Sequence, residues 1–167
     1  NEHVWMSPDG YQYQIQAVMG ALIQVTPANE EAYLANGTAY DEQVHEVWKN
    51  LPQMNGRPCV LFHDSLASLA SDIHMDVKLT LSAEGESGLS AADLAQVEQL
   101  AKEHPDLVLL YDTQYPVRYT AIDGLVPAAQ VIALETAVVG QGSPSDWLDA
   151  MGRNIEKLQK LTGGDTP

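Results

Sequence analysis

Two histidines stand out because each lies beside large apolar residues, about sixty positions apart. His3 lies in NEHVW (residues 1–5), and His63 lies in CVLFHDSLASLA (residues 59–70). In the second segment, an apolar strand pattern gives way to a helical pattern. A side chain at that junction lies at the carboxyl end of a strand, where α/β proteins bind ligands. The two imidazoles are therefore our first prediction of a metal site.

The other histidines lack such a setting. His45 falls on a predicted helix, His74 lies near a helix end, and His104 comes just before Pro105. None of them has a second metal-ligating residue at a suitable spacing. We expect all three at the surface.

The sequence also lacks the motifs of common α/β enzymes. It contains no G-x-S-x-G, no G-x-G-x-x-G and no G-x-x-x-x-G-K-[ST]. The lone Cys59 lies inside an apolar run, so we expect a small buried side chain rather than an exposed nucleophile. A zinc ion with an open coordination position can still activate water. A zinc-dependent hydrolase therefore remains an alternative.

Composition excludes one class of partner. The chain has 167 residues, with 23 acidic and 8 basic side chains and a formal charge of −15. A field of that sign repels phosphate backbones, so nucleic acid is not an expected partner. No apolar stretch is long enough to predict a membrane span, and no leader segment is visible. Because the chain begins at Asn1 without a methionine, we expect a processed or truncated product.

Alternating helix and strand patterns predict the fold. Apolar residues at helical spacing predict helices over 11–25 and 28–50, the second about 30 Å long. Short apolar runs, each followed by a helical pattern, predict four buried parallel strands: Cys59–Phe62, Val77–Leu81, Leu107–Tyr111 and Val131–Leu134. The prediction is an α/β fold: a three-layer (βα)4 sandwich with a four-stranded parallel sheet, preceded by a long helix.

Capping signals support the helices that follow the strands. Ser90 with Asp93 predicts a helix start with a capping box. Ser143, Pro144 and Asp146 are expected to supply an N-cap, a first-turn proline and an acidic residue for the last helix.

Several of these segments together resemble the cluster A-I metal-binding lipoproteins, the solute-binding proteins of bacterial zinc and manganese ABC importers. The resemblance includes HVWMSP (3–8), Pro27-Ala28-Asn29, the Tyr33, Asn36, Tyr40 spacing, FHDSLASLA (62–70) and DWLDAMGRNIEKL (146–158). It covers essentially the whole chain, but only the second half of such a protein. It implies that residues 1–50 hold the end of an N-lobe motif and interlobe helices, and residues 51–167 a C-terminal metal-binding lobe.

The resemblance also implies a ligand set. His3 matches the ligand before the first helix, His63 the C-lobe imidazole, and Glu135 an acidic ligand after the last strand. The match at Glu135 is looser, because Glu135-Thr136 replaces the usual Asp-Pro. Imidazole and carboxylate are ligands that zinc accepts, and a histidine at the C-lobe position favours Zn²⁺ over Mn²⁺.

The function implied is extracytoplasmic binding of a divalent transition metal and its delivery to an ABC permease, rather than catalysis. The partners implied are that permease and the missing N-terminal lobe, which supplies another histidine in the family. The membrane would be reached only through a lipid anchor or the permease. Self-association is a further expectation, because removal of a lobe would uncover apolar surface. A surface adhesin, a label often given to this family, is a second alternative that these residues neither favour nor oppose.

Two carboxylates are candidates to contact a ligand rather than the metal. Asp64 could orient the adjacent imidazole, or could simply be a helix-starting carboxylate favoured by the helix dipole. Asp112 and Tyr115 follow the third strand at the same edge, and are either such supporting groups or ordinary loop residues. The acidic stretch Ser82–Ser90 is expected to be a lip over the metal or a flexible loop.

Overall fold

Two long antiparallel helices open the chain. The computed structural model describes residues 3–81, 89–114 and 124–163, and in it α1 spans Pro8–Val25 and α2 spans Glu30–Trp48. The amide of Thr26 closes α1 on Leu22, and Pro27 begins a short 3₁₀ turn that leads into α2. At 1.5 Å per residue, α2 is about 28 Å long. Both predicted helices are present, and we call them together the α1–α2 hairpin.

The four predicted strands form one parallel sheet. They are β1 (Pro58–Leu61), β2 (Asp76–Thr80), β3 (Val108–Asp112) and β4 (Val131–Leu134), in the order β2-β1-β3-β4. All three pairings are parallel, which confirms the predicted fold class. Every strand therefore ends at the same edge of the sheet, which we call the carboxyl edge.

Helices cover both faces of the sheet. Cys59, Leu61 and Leu110 point to one face, where they pack with α2, α3 (Ala67–Asp72) and α5 (Asp146–Gln159). The alternate residues of the same strands, including Val60 and Leu109, point to the other face and pack with α4 (Ala91–Glu103). Central strands that are apolar on both sides require this double cover, and the three-layer arrangement is confirmed.

Two parts of the sheet depart from the simplest pattern. Strand β2 is largely exposed, because it lies at the edge of the sheet, where Lys78 pairs with Asp76. Between β3 and β4, the described residues include a 3₁₀ turn, Ala128–Gln130, and no α-helix. The helix predicted after the third strand has no counterpart in residues 113–114 and 124–130. The predicted lip over 82–90 and Tyr115 fall mostly or wholly outside the described residues.

The capping predictions had different outcomes. The Ser90–Asp93 capping box is present, with both reciprocal hydrogen bonds formed. The prediction for α5 was wrong: its N-cap is Ser145 rather than Ser143, and the helix begins at Asp146. The Asp146 carboxylate turns back to accept the amide hydrogens of Gln141 and Ser143. It therefore satisfies donors of the preceding loop, as an Asx-type side chain does in turns.

No helix among the described residues combines the length and the apolar character needed to cross a bilayer.

Candidate metal site

The His3 turn is packed tightly against the start of α1. Residues Val4–Met6 form a 3₁₀ turn in which the Met6 amide donates to the His3 carbonyl, and the Met6 side chain is fully buried. Gly10 makes this approach possible, because a Cβ there would lie 2.3 Å from the Val4 carbonyl oxygen. The glycine thus allows the turn that carries His3 to lie directly on the helix.

His63 is the second residue after β1, and it is only 4 % exposed. The Phe62 amide still donates to Leu110 of β3, so the sheet ladder continues up to the histidine. The His63 Nδ1 atom accepts the Ser65 amide hydrogen at 3.0 Å and caps the 3₁₀ turn Asp64–Leu66. In a neutral imidazole that accepts at Nδ1, the proton is on Nε2.

The fold brings His3 and His63 together. Their ring centroids are 5.4 Å apart and the rings are nearly perpendicular. One oxygen of Asp64 lies 3.5 Å from His63 Nδ1 and 3.9 Å from His3 Nδ1. This carboxylate is therefore near both imidazoles and also in the first turn of the short 3₁₀ helix.

The hydrogen bond from Ser65 to Nδ1 affects how His63 could hold a metal. Binding through Nε2 requires the proton to move from Nε2 to Nδ1, because a ligating nitrogen must offer its lone pair. The nearby Asp64 oxygen is placed to receive a hydrogen bond from that proton, as carboxylates commonly do for ligating histidines. Binding through either nitrogen would therefore give up the hydrogen bond from Ser65, because Nδ1 becomes protonated in the first case and metal-bound in the second.

Glu135 lies at the same carboxyl edge, directly after β4, but its carboxylate is engaged elsewhere. Arg153 of α5 donates to both oxygens at 2.8 and 2.7 Å, and Lys157 is 3.9 Å from one of them. The hydrogen bonds from Arg153 lower the pKa of Glu135 below its usual value. Asn154 bonds both the amide and the carbonyl of Glu135. The residue is thus fixed to α5.

The predicted ligands therefore do not form a complete site in this structure. Within the part of the chain that the structure describes, no three His, Cys, Asp or Glu side chains are grouped closely enough to hold a metal. Glu135 lines a cleft of about 340 Å³ together with Thr136, Arg153 and the loop after β4. His3, His63 and Asp64 lie together, and Glu135 stays a predicted ligand that would have to leave Arg153.

Asp112, the other predicted supporting residue, is the last residue of β3 and is 2 % exposed. It accepts hydrogen bonds from the Ser65 hydroxyl (3.1 Å), the Thr136 hydroxyl (3.1 Å) and the Gln114 amide (2.8 Å). None of these hydrogen bonds involves an imidazole. They join Asp112 to residues that follow β1, β3 and β4.

Sequence reasoning did not identify several residues that position the site. Trp5 donates from its indole nitrogen to the Thr136 carbonyl at 2.7 Å, and Ser65 connects His63 with Asp112. Trp5 could have been found from the HVWMSP segment, in which it follows His3 by two positions. Arg153 could not, because its pairing with Glu135 depends on how α5 packs against β4.

Comparison with solved structures shows which proteins share this fold. The structure resembles metal-bound solute-binding proteins: the solute-binding protein FpvC from Pseudomonas aeruginosa in complex with Mn²⁺ matches 98 % of this chain and 64 % of its own, with a TM-score of 0.77 and 20 % identity. A crystal structure of ZnuA matches 95 % of this chain and 60 % of its own, with a TM-score of 0.69 and 23 % identity. These likenesses establish a common fold.

A family model identifies the chain more closely. The model for the zinc-uptake complex component A, periplasmic (ZnuA), matches residues 1–161, and the chain belongs to this family. A Chlamydia muridarum protein named for metal binding is 27 % identical over 106 residues, or 61 % of this chain and 38 % of that protein. The chain thus spans well under half of that relative and less than two thirds of the solved structures. Members of the family are metal-binding transport proteins.

Proposed function

We propose that this chain is the C-terminal part of an extracytoplasmic protein that binds a divalent transition metal and delivers it to an ABC permease. Membership of the zinc-uptake family supports the proposal. The observation that carries it is the meeting of His3 and His63 at the carboxyl edge, 5.4 Å apart between ring centroids. Two imidazoles from distant segments at the ligand-binding edge of a parallel sheet have the chemistry of a metal site.

Zinc is the proposed metal, with manganese as the less favoured candidate. Two imidazoles suit zinc, whereas manganese sites rely more on carboxylates and other oxygen donors. Glu135 is the proposed third ligand, and its carboxylate would exchange Arg153 for the metal. The resemblance implies that the N-terminal lobe supplies a further histidine, which would complete a tetrahedron.

We infer that the chain is not an enzyme, because it belongs to a zinc-uptake family and its two buried nucleophilic side chains near β1, Cys59 and Ser65, are unsuited to catalysis. Burial, with the Asp76 carboxylate nearby, raises the pKa of the Cys59 thiol to about 12. The buried Ser65 hydroxyl donates to Asp112 rather than to His63, whereas an activated serine must donate to its base. The comparisons support neither the hydrolase nor the adhesin alternative.

The α1–α2 hairpin supplies a surface for the rest of the protein. Helix α1 has no buried residue, and its Tyr13 and Val25 side chains are 73 % and 81 % exposed. An apolar groove of about 710 Å³ runs between the two helices. We propose that the N-terminal lobe covers this surface, with residues 1–50 as the connection and 51–167 as the metal-binding lobe. The full-length protein would reach the membrane only through a lipid anchor or the permease.

An isolated 167-residue chain should therefore self-associate through the α1–α2 hairpin, because large apolar surfaces favour association. Light scattering at increasing concentration tests this expectation. A Leu22→Glu variant, which places a charge in the groove, should shift the chain toward the monomer. A monodisperse wild-type monomer at high concentration would contradict the expectation.

Zinc titration by calorimetry tests the proposed function. The chain should bind Zn²⁺ measurably at neutral pH, and binding should weaken on acidification because a protonated imidazole cannot ligate. His63→Ala should abolish the binding, while His104→Ala, the matched control distant from the carboxyl edge, should leave it unchanged. Equal losses in the two variants, or no loss in His63→Ala, would show that the site is wrongly assigned.

A further inference from the structure

A single buried carboxylate connects three segments at the carboxyl edge of the sheet. Asp112 accepts hydrogen bonds from Ser65 after β1, Gln114 after β3 and Thr136 after β4. All three donors are neutral groups. Burial of a carboxylate is costly unless its oxygens are satisfied by hydrogen bonds, so the three donors and the carboxylate depend on one another for their positions.

One branch of this network leads to His63. The Ser65 hydroxyl donates to Asp112, and the Ser65 amide donates to His63 Nδ1. Because Ser65 is fully buried, its side chain has little room to rotate. A displacement of the hydroxyl therefore also displaces the amide. A shift of Ser65 away from Asp112 would therefore change the direction from which its amide holds the imidazole.

The other branch leads to His3. The Thr136 hydroxyl donates to Asp112, and the Thr136 carbonyl accepts the indole hydrogen of Trp5 at 2.7 Å. The Trp5 ring in turn contacts the His3 ring, with centroids 5.3 Å apart. This hydrogen bond ties the turn before α1 to the segment after β4, 131 positions along the chain.

We propose that Asp112 is the positioning residue of the metal site: through Ser65 and Thr136, its carboxylate holds the His63 turn and the His3 turn in one geometry. The proposal rests on the proposed metal-binding function, and it assigns roles to Ser65, Thr136 and Trp5. The strands do not need Asp112 to stay paired, because the Phe62 and Thr113 amides already bond across the sheet to Leu110 and Leu134. The network acts just beyond the point where those ladders end.

The experiment removes one hydroxyl at a time. Ser65→Ala and Thr136→Val each delete a donor to Asp112 while leaving the main-chain bonds to His63 and Trp5 available. Asp112→Ala is the direct variant, and the two hydroxyl variants keep the test valid if that one does not fold. Thr162→Val is the matched control, because it also removes a hydroxyl that donates a hydrogen bond. Thr162 lies at the opposite edge of the sheet, since the carbonyl of the adjacent Leu161 accepts a hydrogen bond from Arg57, just before β1.

Two measurements are made, so that one of them tests the proposal without metal. The first is Zn²⁺ affinity by competition with a chromophoric chelator; each hydroxyl variant should lose about 10- to 100-fold, as supporting residues of metal sites do. The second is the ¹⁵N spectrum of the imidazoles in the metal-free protein, assigned with His63→Ala and His3→Ala. Ser65→Ala should shift chiefly the His63 signals, Thr136→Val should shift chiefly those of His3, and Thr162→Val should shift neither.

The double variant provides an additional test. Because both hydroxyls act through Asp112, the loss of zinc affinity in Ser65→Ala/Thr136→Val should be smaller than the product of the single losses. Wild-type zinc affinity in both single variants, or unchanged imidazole spectra, would overturn the proposal. If the wild-type chain does not bind zinc, the proposed function fails, and the metal-free spectra alone still decide whether Asp112 positions the imidazoles.

Discussion

The two ends of the candidate site hold their predicted ligands in different ways. His3 and His63 are placed by hydrogen bonds of neutral groups, with the Asp64 carboxylate near both. Glu135 is held by Arg153 through two charge-assisted hydrogen bonds, with a lysine nearby. Glu135 therefore already has a cationic partner, which it must exchange in order to bind a metal.

The difference shows that position at the sheet edge is not enough to make a ligand. His63 and Glu135 follow strands and therefore lie at the carboxyl edge of the parallel sheet, whereas His3 is brought beside His63 by packing. The availability of each side chain depends on its neighbours, and Glu135 has neighbours of opposite charge. For Glu135, metal binding therefore carries the cost of releasing a bidentate arginine.

The largest effect is expected from His3→Ala, and the loss of zinc affinity in this variant is compared with the loss in Glu135→Gln. We expect His3→Ala to weaken zinc binding at least about tenfold, or about 1.4 kcal/mol, because it removes one of two imidazoles already in place. Glu135→Gln should cost less, because the wild-type carboxylate must first leave Arg153. Calorimetric titration of both variants at neutral pH measures the difference. A larger loss from Glu135→Gln would reverse the comparison.

A smaller effect is expected from Gly10→Ala, which displaces the turn that carries His3 and leaves Glu135 in place. The new Cβ would meet the Val4 carbonyl oxygen at 2.3 Å, so the His3 turn must move. We expect a loss of about 1–3 kcal/mol in the free energy of unfolding, together with weaker zinc binding. Urea denaturation and zinc titration measure the two effects.

Gly20→Ala is the matched control in the same helix, because nothing lies within 4 Å of its new Cβ. It should stabilise the chain by about 0.5–1 kcal/mol, the ordinary gain from replacing a helical glycine. Equal responses at positions 10 and 20 would mean that the close approach to Val4 does not place the His3 turn.

The smallest effect concerns the Glu135 side and depends on pH. Arg153 lowers the pKa of Glu135 in the folded state, so the pair contributes stability above the unfolded pKa and loses it as the pH falls through the folded one. Because the Arg153 side chain is half exposed, Arg153→Met should cost at most about 1 kcal/mol at neutral pH. Urea denaturation from pH 7 downward should show the two proteins converging in acid. A constant difference would contradict this role.

Much of the fold could be predicted from local patterns. Short apolar runs such as Val131–Leu134 predict strands, and the helical spacing before Thr26-Pro27 predicts α1 to its last residue. His63 was predictable as well, because it directly follows the apolar run of β1. These features depend on residues close together in the chain, where propensity and periodicity act.

Only the tertiary structure decided which of these residues meet. The hydrogen bond from Trp5 to Thr136 and the pairing of Glu135 with Arg153 join segments that no spacing rule relates. The predicted cap at Ser143 failed for a local reason, since the Asp146 carboxylate bonds the amides of the loop just before α5. The amino-acid sequence by itself thus determined the strands, the helices and the chemical types at the carboxyl edge. Packing decided which side chains are ready for a metal, because hydrogen bonds and ion pairs form with whatever group the fold brings within about 3 Å.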